Sequence, residues 1–136
     1  MARRATPFNL KISKSKHRVK VSCSHDGYKR LKGKPVHTRK WVSEANQFLI
    51  HDSISGSIDS AEARYHFHPN IKVELDAFEK NGSVVLSDKR KIHFEVRDGK
   101  ASIVKTTHHP EFGLSIDSKS LVVNFISAKS SIKFYW

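Results

Sequence analysis

Apolar and polar residues alternate with a period of two through most of this chain, and that period confines it to strands. Val19, Val21 and Cys23 alternate with Lys20 and Ser22, and Ile71, Val73 and Leu75 with Lys72 and Glu74. Ile92, Phe94 and Val96 alternate with Lys91, His93 and Glu95. Side chains on a strand point to opposite faces in turn, so each run puts one face on a core and the other in water. Further strands are expected at Phe8–Ile12, Val36–Val42, Phe48–His51, Ala63–His68, Ser83–Leu86, Ala101–Thr106, Leu121–Ile126 and Ile132–Trp136. Asp98-Gly99 carries the strongest hairpin signal, followed by Asn81-Gly82 and Asp26-Gly27. Ser43–Gln47 reads as a loop, and Asp59–Ala63 has room for one helical turn. About ten short strands without a strong helix predict an all-β fold, an antiparallel β-sandwich of two sheets packed face to face.

The 136 residues fit a single domain, with no linker, low-complexity tract or repeat to divide them. A chain of this size buries roughly 65–70% of its unfolded surface, enough for a core without staples. The lone Cys23 excludes an internal disulfide and leaves the redox compartment open. No apolar stretch approaches the ~20 residues of a membrane-spanning helix. Two arginines near the start lack the apolar run of a secretory signal, so the domain is expected either to be cytosolic or to derive from a longer exported chain.

Charge is distributed unevenly. Residues 1–40 hold thirteen Lys and Arg against the single acid Asp26, whereas the remainder balances twelve against twelve. The entire +12 excess therefore lies in the first forty residues. Such a field concentrates polyanions, whether nucleic acid, anionic lipid or acidic polysaccharide; lysines that merely blunt strand edges give the same count.

Few residues offer chemistry. His37, Arg39 and Trp41 share one face of the strand Val36–Val42, and Tyr28, Lys29 and Arg30 follow the Asp26-Gly27 turn. A guanidinium forks a carboxylate or sulfate bidentately and an indole stacks on a sugar ring, which suits an acidic glycan; alternatively Trp41 faces the core and the basic groups snorkel. His66 and His68 stand two apart with His108-His109 downstream, a spacing that can bring imidazoles to zinc but also arises by chance among nine histidines, and no metal is assigned. Ser24-His25-Asp26 are neighbours in sequence, whereas catalytic triads converge from separate elements. Cys23 sits in an apolar alternation and reads as a core residue. Glycine-rich phosphate loops, zinc-finger spacing and a basic recognition helix are all missing, so neither a nucleotide cofactor nor a standard nucleic-acid module is indicated.

An ordered set of segments does resemble a known family. Ala2-Arg3-Arg4-Ala5 precedes a basic strand, and His25-Asp26-Gly27-Tyr28-x-Arg30-Leu31 and His37-x-Arg39 follow. Next come Ile50-x-Asp52-x-Ile54-x-Gly56, His66-Phe67-His68-Pro69 and, downstream, His109-Pro110-Glu111-Phe112-Gly113. Together they resemble the later part of heparinase II/III-like polysaccharide lyases. The resemblance implies an α-helical toroid followed by a large antiparallel β-sandwich, and β-elimination on uronate-containing polysaccharide. It places this chain in the C-terminal sandwich, and so periplasmic or secreted if the lyase is exported. It puts the catalytic Tyr and Asn in the toroid, and the sandwich-side His and any metal ligands largely before this segment. No catalytic residue is therefore carried over.

Elimination beside a uronate requires its carboxylate neutralised, a base for the C5 proton and an acid for the leaving oxygen. The sequence supplies cations for the first task and no pair for the others. The expectation is a sandwich that supports or binds acidic polysaccharide through Tyr28, Arg30, His37 and Arg39, with catalytic function completed by a helical toroid in the same or a neighbouring chain. The alternative is a domain that binds nucleic acid or another polyanion through net charge alone.

Overall fold

The computed structural model describes residues 4–136, which form eleven strands and no helix. In chain order they are β1 (Pro7–Lys14), β2 (Val19–His25), β3 (Val36–Glu44), β4 (Gln47–Ser55), β5 (Glu62–His66) and β6 (Lys72–Leu75). The remainder are β7 (Asn81–Val85), β8 (Lys91–Asp98), β9 (Lys100–His108), β10 (Ile116–Asn124) and β11 (Lys129–Tyr135). Eight of them pair in the order β1-β2-β3-β4-β11-β8-β7-β6, and a second sheet has the order β5-β10-β9. Every pairing is antiparallel. The all-β sandwich expected from the alternation is borne out. Ala2 and Arg3, the start of the family-like pattern, lie outside the described residues.

The core forms where the small sheet lies on the large one. Leu121 and Val123 of β10 and Ala101 of β9 pack against Ile50, Phe94, Val96, Ile132 and Val84 from the large sheet. Phe134 joins Phe94 at 6.1 Å between ring centroids and meets Tyr65 edge-on at 6.0 Å, the offset geometries aromatic quadrupoles favour. A single cross-strand row shows where the cover stops. Ile12, Val21, Trp41, Ile50, Ile132 and Val96 lie side by side on successive strands. Along it, exposure falls from 66% at Ile12 to 8% at Ile50 and 0% at Ile132. Three strands cannot cover eight, so the inner face of β1–β3 stays open beside β5.

Several turns differ from expectation, each for a local reason. Asp98-Gly99 makes no hairpin: β8 belongs to the large sheet and β9 to the small one, so Gly99 alone turns the chain from one layer to the other. Its φ of 127° suits glycine, and a Cβ there would stand 2.6 Å from Val123 Cγ1. Asn81 and Gly82 lie in β7 itself, because Asp76 draws the turn upstream by accepting hydrogen bonds from the Lys80 and Asn81 amides at 3.0 and 3.2 Å. Asp59–Ala63 holds no helical turn and leads directly into β5. Ser43–Gln47 shrinks to the two residues Ala45 and Asn46, with Glu44 paired to Gln47.

Candidate functional site

The tight β3–β4 turn sets the register that builds the site. It places Arg39 opposite Asp52 and His37 opposite Ile54, all on the inner face. One strand further, His25 stands opposite His37 and Cys23 opposite Arg39. Arg39 donates from Nε to Asp52 Oδ1 at 2.7 Å and from Nη2 to Oδ2 at 3.0 Å. His37 Nε2 lies 2.6 Å from the same Oδ1. Asp52 is only 2% exposed, a burial tolerable for a carboxylate only when its charge is matched and its lone pairs are filled.

The hydrogen bonds continue outwards. His25 Nε2 is 3.0 Å from His37 Nδ1, and the Gly27 amide donates to His25 Nδ1 at 3.2 Å. Both ends of this chain are unambiguous, since an amide N–H can only donate and a carboxylate can only accept. The direction between them follows: His25 carries its hydrogen on Nε2, and so does His37. Asp52, His37, His25 and Gly27 thus form one polarised chain, complete with both imidazoles neutral. Tyr28 leans over His25 with ring centroids 5.2 Å apart.

These side chains line a cleft of about 570 Å³ between the β2–β3 end of the large sheet and β5. His25, Tyr28, His37 and Arg39 line it together with the apolar Leu31, Ile54 and Ile58 and, from β5, the ion-paired Glu62 and Arg64. An aromatic ring, apolar side chains and two arginines, each paired with a carboxylate, give the cleft surfaces that suit a ring-shaped polar ligand.

Electrostatics follow from the packing. Burial alone would push the Asp52 carboxyl up, but hydrogen bonds from His37 and Arg39 outweigh it and hold the group below the ordinary carboxylate range. Burial likewise works against the Arg39 cation, and Asp52 more than restores it. Burial and the facing His37 hold His25 below the usual imidazole range. Tyr65, whose ring lies 5.9 Å beneath the Arg39 guanidinium, is pushed up by burial, and its buried Oη makes no hydrogen bond among the described residues.

Of the four candidate binding residues, the structure brings Tyr28, His37 and Arg39 together and leaves Arg30 apart. Arg30 folds back to the Gly27 carbonyl at 3.2 Å and joins Arg4 and Lys29 around a separate basic hollow. The Arg39 fork, expected to seize a ligand carboxylate, is taken up by Asp52, so Arg39 backs the cleft wall. Trp41 packs against the core cluster while remaining partly exposed at the edge of the cover.

The other sequence features separate. His66 bonds Ser120 at 2.8 Å while His68 faces His108, and no three metal-ligating side chains converge among the described residues. Ser24 points to Thr38 on the outer face and Asp26 caps the Thr6 amide, so Ser24-His25-Asp26 assembles no triad. Sequence reasoning did not single out His25, Asp52 and Arg64 as site residues. The first two stand in the family-like segments, and only their strand register reveals that they meet.

The family profile described as "Heparinase II/III-like, C-terminal" matches residues 1–136. The fold is similar to a heparan sulfate lyase from Pedobacter heparinus, with a TM-score of 0.76 and 8% identity over 97% of this chain. It is also similar to a heparinase III gene product, with a TM-score of 0.69 and 12% identity over 96% of the chain. In each case the match spans 21% of the other chain, so this one corresponds to about a fifth of those proteins. No curated protein matches at a significant level. Among the described residues no helix is long and apolar enough to cross a membrane.

Proposed function

The chain belongs to the heparinase II/III-like C-terminal family, and from that premise we propose that it is the sandwich module of a polysaccharide lyase, holding acidic glycan without cleaving it alone. The observation that carries this reading is the cleft, lined by Tyr28, His37 and Arg64, where Arg39 is held by Asp52 and Arg64 by the exposed Glu62 carboxylate, a partner that a ligand carboxylate or sulfate can replace. The +12 excess of residues 1–40 supplies the surrounding field, and Arg4, Lys29 and Arg30 contribute to it from their separate hollow. Both carboxylates at the cleft are engaged in ion pairs, Asp52 with Arg39 and Glu62 with Arg64, which supports leaving the C5 proton to a base outside this chain. The elimination chemistry then falls to a helical toroid in the same or a neighbouring chain, and acidic polysaccharide is the partner they share.

The test compares wild type with Tyr28→Ala and Arg64→Ala, titrated with heparin, alginate and duplex DNA at low and physiological salt. Loss of uronate-polymer binding in both variants, with DNA binding little changed, is the expected result. Equal losses on all three polymers would leave only a generic cationic surface, since counterion release acts on any polyanion.

A further inference from the structure

The hydrogen-bonded chain from Gly27 to Asp52 has no place for an additional proton. His25 Nδ1 is occupied by the Gly27 amide, His37 Nδ1 by His25, and His37 Nε2 by Asp52. A proton from solvent is best received at His25 Nδ1, the end nearest the surface loop. The shared hydrogen between the rings can then shift, so that the positive charge rests on His25 or, next to Asp52, on His37. In both arrangements His25 Nδ1 carries a hydrogen and can no longer accept from Gly27.

We propose that this chain is a proton gate on the cleft: protonation of the histidine pair releases the Gly27 turn, moves Tyr28 and adds a cation, tightening the hold on acidic glycan as the pH falls below neutrality. The gate rests on the glycan reading above. The turn it releases is the one that shapes the cleft, since Asp26–Leu31 carries Tyr28 and Leu31 and is held by the Lys29 and Leu31 amides at 2.9 Å each. Gly27 fits tightly there, because a Cβ would meet Ala5 Cβ at 2.9 Å and His25 Nδ1 at 3.1 Å. The charged and titratable groups bearing on His25 are His37 and Arg39 of β3, Asp26 and Tyr28 of the loop and, through His37, Asp52 of β4. Its low proton affinity keeps the gate closed at neutral pH, and a bound polyanion raises that affinity by linkage.

The experiment is calorimetry of the full chain with a heparin-derived tetrasaccharide between about pH 5 and 8, in buffers of different ionisation enthalpy. Binding should take up about one proton, with log Kd rising by up to about one per pH unit. His25→Gln offers a carbonyl to Gly27 and an amide N–H to His37 but cannot titrate, and should flatten the slope and cancel the uptake. His17→Gln, which removes a histidine from the same basic segment, should keep both. An unaltered slope in His25→Gln overturns the gate. The ligand-free protein gives a second readout: the Gly27 amide resonance should shift together with the His25 titration. A Gly27 resonance that stays fixed while His25 titrates overturns the gate whatever the tetrasaccharide does. A moving Gly27 with no tetrasaccharide binding at any pH, and no effect of Tyr28→Ala, overturns the glycan reading instead.

Discussion

Arg39 holds Asp52 in a two-point grip across the β3–β4 pair, and the carboxylate so gripped is among the most buried polar groups in the protein. The pair fixes the site wall, because the remaining acceptor capacity of Asp52 orients His37, and His37 orients His25. Removing one partner of a buried pair leaves the other charge uncompensated, so its loss costs more than the intact pair contributes.

Asp52→Ala is therefore expected to destabilise the domain by about 3–5 kcal/mol, measured as a drop in the urea midpoint at constant m-value. Arg39→Ala should cost a comparable amount, and the double variant less than the two singles combined. Additive losses would mean that the pair is not coupled.

Stability should also depend on acid in a defined direction. Burial and His37 hold His25 below its ordinary value of 6.5, and burial and Lys40 do the same for His51. The unfolded chain then takes up protons first, so their contribution is full above about pH 6.5 and lost as the pH falls through the lower folded values. Asp52 is also held below its ordinary value of 3.8, so its contribution is full above that value and lost on further acidification. Urea midpoints should fall in two stages between neutrality and strong acid, with His25→Gln reducing the first. A flat profile down to the carboxylate range contradicts the buried imidazoles.

Gly99→Ala should destabilise by about 1–3 kcal/mol, although alanine is usually the better folded-state residue. At φ 127° the new Cβ would meet Val123 Cγ1 at 2.6 Å and the Asn124 carbonyl at 2.7 Å, where β8 turns into the other sheet. Thermal melts against wild type check this, and a neutral result would mean that the corner relaxes freely.

Phe94→Ala is expected to cost about 3–5 kcal/mol, because Phe94 is fully buried between the sheets and touches Phe134. Its far-UV circular dichroism should remain strand-dominated if the domain still folds, since backbone pairing does not depend on one ring.

Purified alone, the domain should produce no unsaturated-uronate absorbance from heparin, alginate or chondroitin. Turnover abolished by a point substitution in this chain would refute the non-catalytic role.

Alternation by itself determined that this chain makes antiparallel sheets, since a period of two with short apolar runs can bury a continuous face in no other way. Val19-Val21-Cys23 and Ile92-Phe94-Val96 each carry that information locally, within a few residues. The concentration of cations ahead of residue 41 and the aromatic-basic character of β3 were equally legible. Tertiary structure decided which sheet each strand joins and which side chains meet. Asp98-Gly99 has the composition of a hairpin, yet it becomes a corner, because β9 pairs along its whole length with β10 in the other sheet and packs its inner face on the core. Register mattered most. A loop centred on Ala45 would pair Arg39 with His51 and turn Asp52 to the other face. The two-residue turn at Ala45-Asn46 pairs Arg39 with Asp52 instead. A one-residue slip inverts every side chain on a strand, and the two-residue turn together with the packing of Ile50 and Trp41 against the core selects between the two registers. The site depends on that choice, so its residues could be named from sequence one at a time but not assembled.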